Sequence, residues 1–231
     1  MKIGIMQPYF FPYLGYWQLI AAVDKYVVYD DVTYIKGGWI NRNNILLNGN
    51  IHLLTIQLDK SSSNRMINEI NVRNDSVEKK KIMRTLEYAY SKAPFYEIIS
   101  DMIGGIIMQD TTISLMNYNA VLRICDYLHI DTDIILSSQI DKDESKHADD
   151  RVIDIVTRLD GTVYINAIGG QELYNRDKFA DKGIKLSFLS KNEIIYNQYR
   201  QPFIDNLSII DVLMFNSVED TRELLEEYKL V

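Results

Sequence analysis

Apolar positions along this chain follow two rhythms. Short unbroken runs at Lys2–Met6, Lys25–Tyr29, Thr132–Ser137, Thr162–Ile165 and Ile184–Leu189 have the length and composition of strands buried on both faces. Between them, apolar residues recur at helical spacing. Trp17, Leu19, Ile20 and Val23 give one face to a short helix over 15–23, so the first two strands and this helix form a parallel strand–helix–strand unit. Asn48-Gly49 is a hairpin turn signal, with Ile45–Leu47 before it and Ile51–Leu58 returning. A short strand is expected over Ile67–Val72. Asn74 and Asp75 can cap a helix over 77–90, Pro94 interrupts, and further helices are expected over 95–108 and, capped by Ser114, to Leu128. Helices over 148–159, 211–216 and 221–228 complete the pattern. The expected fold is α/β, a mainly parallel Rossmann-like sheet with a helical middle segment and a hairpin extension. The segments are an N-terminal α/β half (1–74), a helical insertion (75–130) and a C-terminal α/β half (131–231), read as one compact domain.

Composition narrows the class. The chain has 231 residues, 47% of them hydrophobic and 25% charged, ordinary values for a globular protein. A net charge of −7 argues against nucleic acid as partner, since such modules carry basic surfaces. A local pocket can still oppose the global sign and take a small anion. The single cysteine, Cys125, excludes an internal disulfide framework, and its apolar-periodic surroundings point to a buried thiol. No run approaches the length of a membrane span, and the N-terminus shows no signal-peptide pattern, so a cytoplasmic location is expected.

Polar and aromatic residues gather at strand ends, where open α/β sheets bind ligands. Gln7, Tyr9, Tyr13 and Tyr16 lie in a loop bounded by Pro8, Pro12 and Gly15. It is either a rigid aromatic pocket for a base or sugar, or a cover packed over the sheet edge. Asp30 and Asp31 follow the second strand. Alternation sends their side chains to opposite faces, so at most one faces a crevice as base or ammonium anchor; the other reading is a solvated turn or a helix cap. Trp39, Asn41, Arg42 and Asn43 combine an aromatic face, a guanidinium and two amides. Arg42 could clamp a phosphate or carboxylate with help from Lys36, or could serve a surface ion pair. Of the three histidines, His52 and His129 read as structural, while His147 precedes a helix start where Lys146 could help bind a phosphate. Gly169-Gly170 after a strand permits close backbone approach. Nothing has metal-ligand spacing, and there is no P-loop.

Taken together, the runs Ile5-Met-Gln7-Pro8-Tyr9-Phe-Phe-Pro12-Tyr13-Leu-Gly15-Tyr16, Asp30-Asp31-Val-Thr-Tyr34, Trp39-Ile-Asn41-Arg42-Asn43 and Leu207-Ser208-Ile-Ile-Asp211 resemble the WbqC-like proteins. Thr162-Val-Tyr164-Ile with Gly169-Gly170 and Tyr174 fits the same pattern. The resemblance implies a role in bacterial O-antigen or other polysaccharide biosynthesis. The suggested activity is transfer of an acyl or aminoacyl group, glycine among them, to an amino sugar. On that reading Asp30, Asp31 or His147 is the base. Gln7 and Asn41 orient the substrate, Arg42 and Lys36 hold an anionic group, and Tyr9, Tyr13 and Trp39 stack on a ring. The partner is a small molecule, a nucleotide-linked sugar. The co-substrate stays open between an activated donor such as acyl-CoA and ATP, and a homodimer is one assembly the chain could form. A weaker likeness in layout to HIGH-type nucleotidyltransferases keeps an ATP-using enzyme as an alternative, although Tyr13-Leu-Gly15-Tyr16 replaces their His-x-Gly-His. The other alternative is a non-catalytic sugar-nucleotide-binding protein.

Overall fold

The structure, a computed structural model, describes residues 1–199 and 202–231. Strands β1 (Lys2–Met6) and β2 (Lys25–Val28) flank helix α1 (Leu14–Ala21) and pair in parallel, Ile3 opposite Lys25 and Met6 opposite Val28. Strands β3 (Arg42–Leu47) and β4 (Asn50–Thr55) form a separate antiparallel hairpin, and both turn residues have left-handed φ: +51° at Asn48 and +75° at Gly49. Three helices follow: α2 (Ser76–Tyr90), α3 (Tyr96–Ile107) and α4 (Ile113–Tyr127). The chain then returns to the sheet through β5 (Asp133–Leu136), α5 (Ala148–Arg158), β6 (Val163–Ala167), α6 (Arg176–Ala180) and β7 (Lys185–Lys191). It ends with α7 (Ile209–Phe215), α8 (Val218–Leu225) and β8 (Tyr228–Leu230). The main sheet has six strands in the order β5-β2-β1-β6-β7-β8, parallel except for β8.

Strand alternation explains why both sheet faces are apolar. Ile3, Ile5 and Val27 face a cluster with Val152, Ile155 and Val156 of α5 and with Phe179. Tyr26 and Val28 belong to the larger cluster on the other face, with Trp17 and Ile20 of α1 and the apolar sides of α2, α3, α4 and α7. A sheet covered on both sides is where parallel strands are stable. Strand order reverses at β1, because β2 and β5 lie to one side and β6 and β7 to the other. Such a reversal opens a crevice at the carboxyl ends of the strands.

Local departures from the sequence reading have simple causes. Ile67–Glu69 is a 3₁₀ turn rather than part of a strand. Ile67 and Ile70 are buried, and isolated bridges at Leu58–Val72 and Asn71–Thr112 take the place of a ladder. Helix α4 is capped by Thr112, whose hydroxyl accepts from the Leu115 amide at 3.3 Å, and not by Ser114. The last helix stops at Leu225, and Tyr228 opens strand β8, which pairs with the edge of β7. Residues 168–173, after β6, form a 3₁₀ turn that contains the Gly169-Gly170 pair.

Candidate functional site

The aromatic loop after β1 is held by its own carbonyl oxygens. The Tyr16 hydroxyl donates to the Gln7 carbonyl at 2.9 Å, and the Asn117 amide donates to Pro8 at 2.9 Å. The Asn43 amide donates to both Phe10 (3.0 Å) and Phe11 (2.9 Å). Ser208 Oγ donates to Phe11 at 2.6 Å, while Trp17 Nε1 and the Ile209 amide both reach Pro12. Five carbonyls in six residues are thus fixed by side chains or amides from four separate elements. This bracing sustains a left-handed φ of +40° at Phe11, a conformation that costs a non-glycine residue free energy. Phe10 and Phe11 are fully buried, and Tyr9 and Tyr13 project. The loop is therefore a rigid mount for two tyrosine rings.

These rings form one side of a cavity of about 350 Å³. Tyr9, Pro12 and Tyr13 come from the loop after β1, Trp39 from the segment after β2, Asn43 and Asn44 from β3, and Asp205, Asn206 and Leu207 from the segment after β7. Ile51 of β4 closes the wall. All three loops leave the carboxyl ends of sheet strands, the end at which open α/β folds bind ligands, and the volume falls within the usual span of small-molecule sites. Gly15 makes the Tyr13 placement feasible: a Cβ there would lie 2.6 Å from Tyr13 Cε2.

The cavity's charge comes from Asp205. Both of its oxygens accept from Lys191 Nζ, at 2.9 and 2.8 Å, and its side chain remains half exposed. Burial raises the Tyr9 hydroxyl above its ordinary pKa. Burial, the Tyr9 hydroxyl and the Asp205 carboxylate raise that of Tyr13. Both stay neutral phenols near pH 7 and can donate hydrogen bonds. The arrangement offers aromatic faces, two phenol donors, the amides of Asn44 and Asn206 and one carboxylate around a ring-sized space, the Asn43 amide being committed to the loop.

Of the residues singled out in the sequence, Tyr9, Tyr13, Trp39 and Asn43 meet at this cavity. The others lie elsewhere or serve the frame. Tyr16 is fully buried beneath the loop. Asn41 accepts from the Tyr34 hydroxyl and donates to the Ile56 carbonyl, each at 2.9 Å. Arg42 donates to the Gly37 and Gly38 carbonyls and so ties down the Lys36–Gly38 turn, with Lys36 itself exposed. Asp30 accepts from the Ser138 amide (2.9 Å), the Ser138 hydroxyl (2.8 Å) and the Ser114 hydroxyl (3.3 Å), which engages both oxygens in joining β2 to α4 and the turn after β5. Asp31 pairs with Lys142 at 2.6 Å and Arg151 at 2.9 Å, and Glu144 joins both cations. Burial would raise the Asp31 carboxyl, but Lys142, Ser137 and Arg151 outweigh it and hold it below the usual range. Gln7 sits half buried at the end of β1. His147 is the exposed residue preceding α5, and its side chain makes no capping bond. Gly170 packs on Asn166, where a Cβ would lie 2.9 Å from Nδ2, and Gly169 faces open space.

Asp205 and Asn206 were not among the residues read from the sequence. The available signal was their position just before Leu207-Ser208, with Asn206 at a left-handed φ of +59°, the habit of a turn residue. Ser208 pins this segment to the aromatic loop, because its amide donates to Asn44 at 2.8 Å and it bridges Tyr13.

A six-stranded, mainly parallel sheet whose strand order reverses beside β1, with a braced cavity at the carboxyl ends of its strands, defines an open α/β protein. The chain belongs to the WbqC-like protein family, whose family model matches residues 7–223. It is similar to an uncharacterised protein of Mycobacterium tuberculosis, 28% identical over 221 residues that cover 93% of each chain. No solved structure gives a significant match. No helix among the described residues is long and apolar enough to cross a membrane.

Proposed function

We propose that the cavity binds an amino sugar and that the protein transfers an acyl or aminoacyl group to its amine during polysaccharide biosynthesis. The observation that carries this reading is the pairing of aromatic walls, Tyr9, Tyr13 and Trp39, with a lysine-supported carboxylate, Asp205, in one 350 Å³ space. A sugar ring presents apolar C–H faces to aromatic rings and hydroxyls to amides. Its ammonium would donate to Asp205. In the transfer step the ammonium gives a proton to the carboxylate, and the freed lone pair forms the N–C bond as the donor's acyl–leaving-group bond breaks. The second N–H proton goes to the leaving group, which departs protonated, as the free thiol where the donor is acyl-CoA. Asp205 takes the role first considered for Asp30 and Asp31 because it is the carboxylate that lines the cavity, whereas Asp30 is bonded to Ser138 and Asp31 is paired with Lys142 and Arg151 away from it.

The test is mass-spectrometric detection of acylated UDP-glucosamine after incubation with a panel of acyl-CoA and aminoacyl donors. Transfer that falls about 10²-fold in Asp205→Asn supports the reading. Transfer unaffected by that change removes Asp205 from the chemistry. Binding of the sugar without turnover on any donor leaves the protein a carrier of the sugar nucleotide.

A further inference from the structure

A second, larger depression of about 720 Å³ lies between α2 and the β3–β4 turn. On its helical side, Arg84 and Tyr88 lie four residues apart on one face of α2, and Lys92 lines the groove from the turn two residues past the helix end. Asn48 and Gly49 of the turn face them, and Tyr199 contributes a second aromatic ring. Tyr88 is 70% exposed and Tyr199 46% exposed, large fractions for aromatic rings with no evident structural need to face solvent. Among the described residues neither Arg84 nor Lys92 has an ion-pair partner. Two free cations flanking an exposed ring run against the net charge of −7. One acid, Glu87, shares the groove and leaves its charge at one positive unit.

This groove and the aromatic cavity adjoin across the hairpin. Leu46 of the groove stands opposite Ile51 of the cavity in the ladder, and Asn44 of the cavity lies two residues before Leu46. Residues opposite one another, and residues two apart, occupy the same face of a strand pair. Tyr199 at the groove and Asp205 to Leu207 at the cavity both follow β7 in the chain.

We infer that the groove holds the nucleoside-diphosphate part of the sugar nucleotide whose sugar occupies the cavity. Arg84 and Lys92 pair with the phosphates, and Tyr88 and Tyr199 stack on the base. This rests on the sugar-binding reading of the cavity but has its own observations and its own test.

The probes are UDP, free glucosamine and UDP-glucosamine, titrated calorimetrically into the full chain. Arg84→Ala/Lys92→Ala is expected to weaken UDP and UDP-glucosamine by roughly 10-fold or more, and to leave free glucosamine unchanged. Glu87→Gln, which removes the opposing charge, is expected to tighten UDP. All three side chains are exposed, and an unchanged melting temperature confirms that the variants fold. Absence of UDP binding to the parent chain, or equal UDP affinity in the double variant, overturns the inference. Failure of glucosamine alone would instead sink the cavity reading, and the UDP comparison would still decide the groove.

Discussion

Replacing Asn43 by alanine should loosen the aromatic loop more than any other single change to a polar side chain in the cavity wall. Its amide donates to the Phe10 and Phe11 carbonyls, and its Oδ1 accepts from the Asn44 amide at 2.8 Å. Phe11 keeps Ser208 Oγ as a partner, but Phe10 loses its side-chain donor in a fully buried setting. A buried carbonyl left without a donor costs about 1–3 kcal/mol, and each of the two further lost bonds about 0.5–1.5 kcal/mol, so the total is about 2–6 kcal/mol. A chain of this size loses roughly 2–4 °C of melting temperature per kcal/mol, which puts the drop on the order of 5–25 °C. Asn43→Asp should be worse. It keeps an acceptor for the Asn44 amide but sets a carboxylate against two carbonyl oxygens. Thermal unfolding followed by circular dichroism reads both changes. A melting temperature for Asn43→Ala within error of the parent, or an aspartate variant as stable as the parent, would show that the clamp does not hold the loop.

Other expectations follow from the same geometry. Gly15→Ala should raise the helix propensity of α1 yet weaken glucosamine binding severalfold, because the new methyl displaces the Tyr13 ring; calorimetry and a melting curve on one sample separate the two effects, and unchanged affinity would mean the ring placement is irrelevant. Asp31 has a folded-state pKa below its unfolded one, so its ion pairs contribute stability above about pH 4 that is lost as pH falls through the folded value. The stability gap between the parent and Asp31→Asn, measured by urea unfolding, should therefore be largest near neutral pH and close below about pH 4; a gap constant from neutral pH into acid would exclude that linkage. Burial pushes the Cys125 thiol up to about 12, so a disulfide reagent should leave it unmodified in the native protein and label it at the rate of unfolding. Fast labelling under native conditions would contradict the packed environment of α4.

Periodicity revealed most of the sheet, because parallel strands buried on both faces announce themselves as unbroken apolar runs. It revealed less where burial is shared with loops. Ile67 and Ile70 are as apolar as strand residues, yet they fill the core from a 3₁₀ turn, and a linear pattern cannot distinguish the two. Strand β8 was hidden because Tyr228-Lys229-Leu230 continues the apolar spacing of α8; only its pairing with β7 separates them. At the site, Tyr9, Tyr13 and Trp39, singled out in the sequence as ring-stacking candidates, line one cavity, whereas Tyr16 of the same loop went to the core with Phe10 and Phe11. The role of Asn43 as a clamp, and of Arg42 as a tie for its own turn, was not legible, because an amide or guanidinium reads the same whether it meets a ligand or a carbonyl. Asp30 and Asp31 misled for the same reason: their partners Ser138, Lys142 and Arg151 lie more than 100 residues away along the chain. Asp205 escaped because the cavity it shares with Tyr13 joins positions most of the sequence apart.

Indole N–H resonances give the most direct test of the cavity as a sugar site, since the chain has two tryptophans. Trp39 is 44% exposed at the cavity, whereas Trp17 is fully buried and donates to Pro12. Titration of the ¹⁵N-labelled protein with glucosamine should shift the Trp39 signal in a saturable way and leave the Trp17 signal in place, with N-acetylglucosamine, which lacks the ammonium, binding more weakly. A Trp39 resonance that does not move at saturating sugar, or one that responds equally to both sugars, would contradict an aromatic cavity selective for an amine.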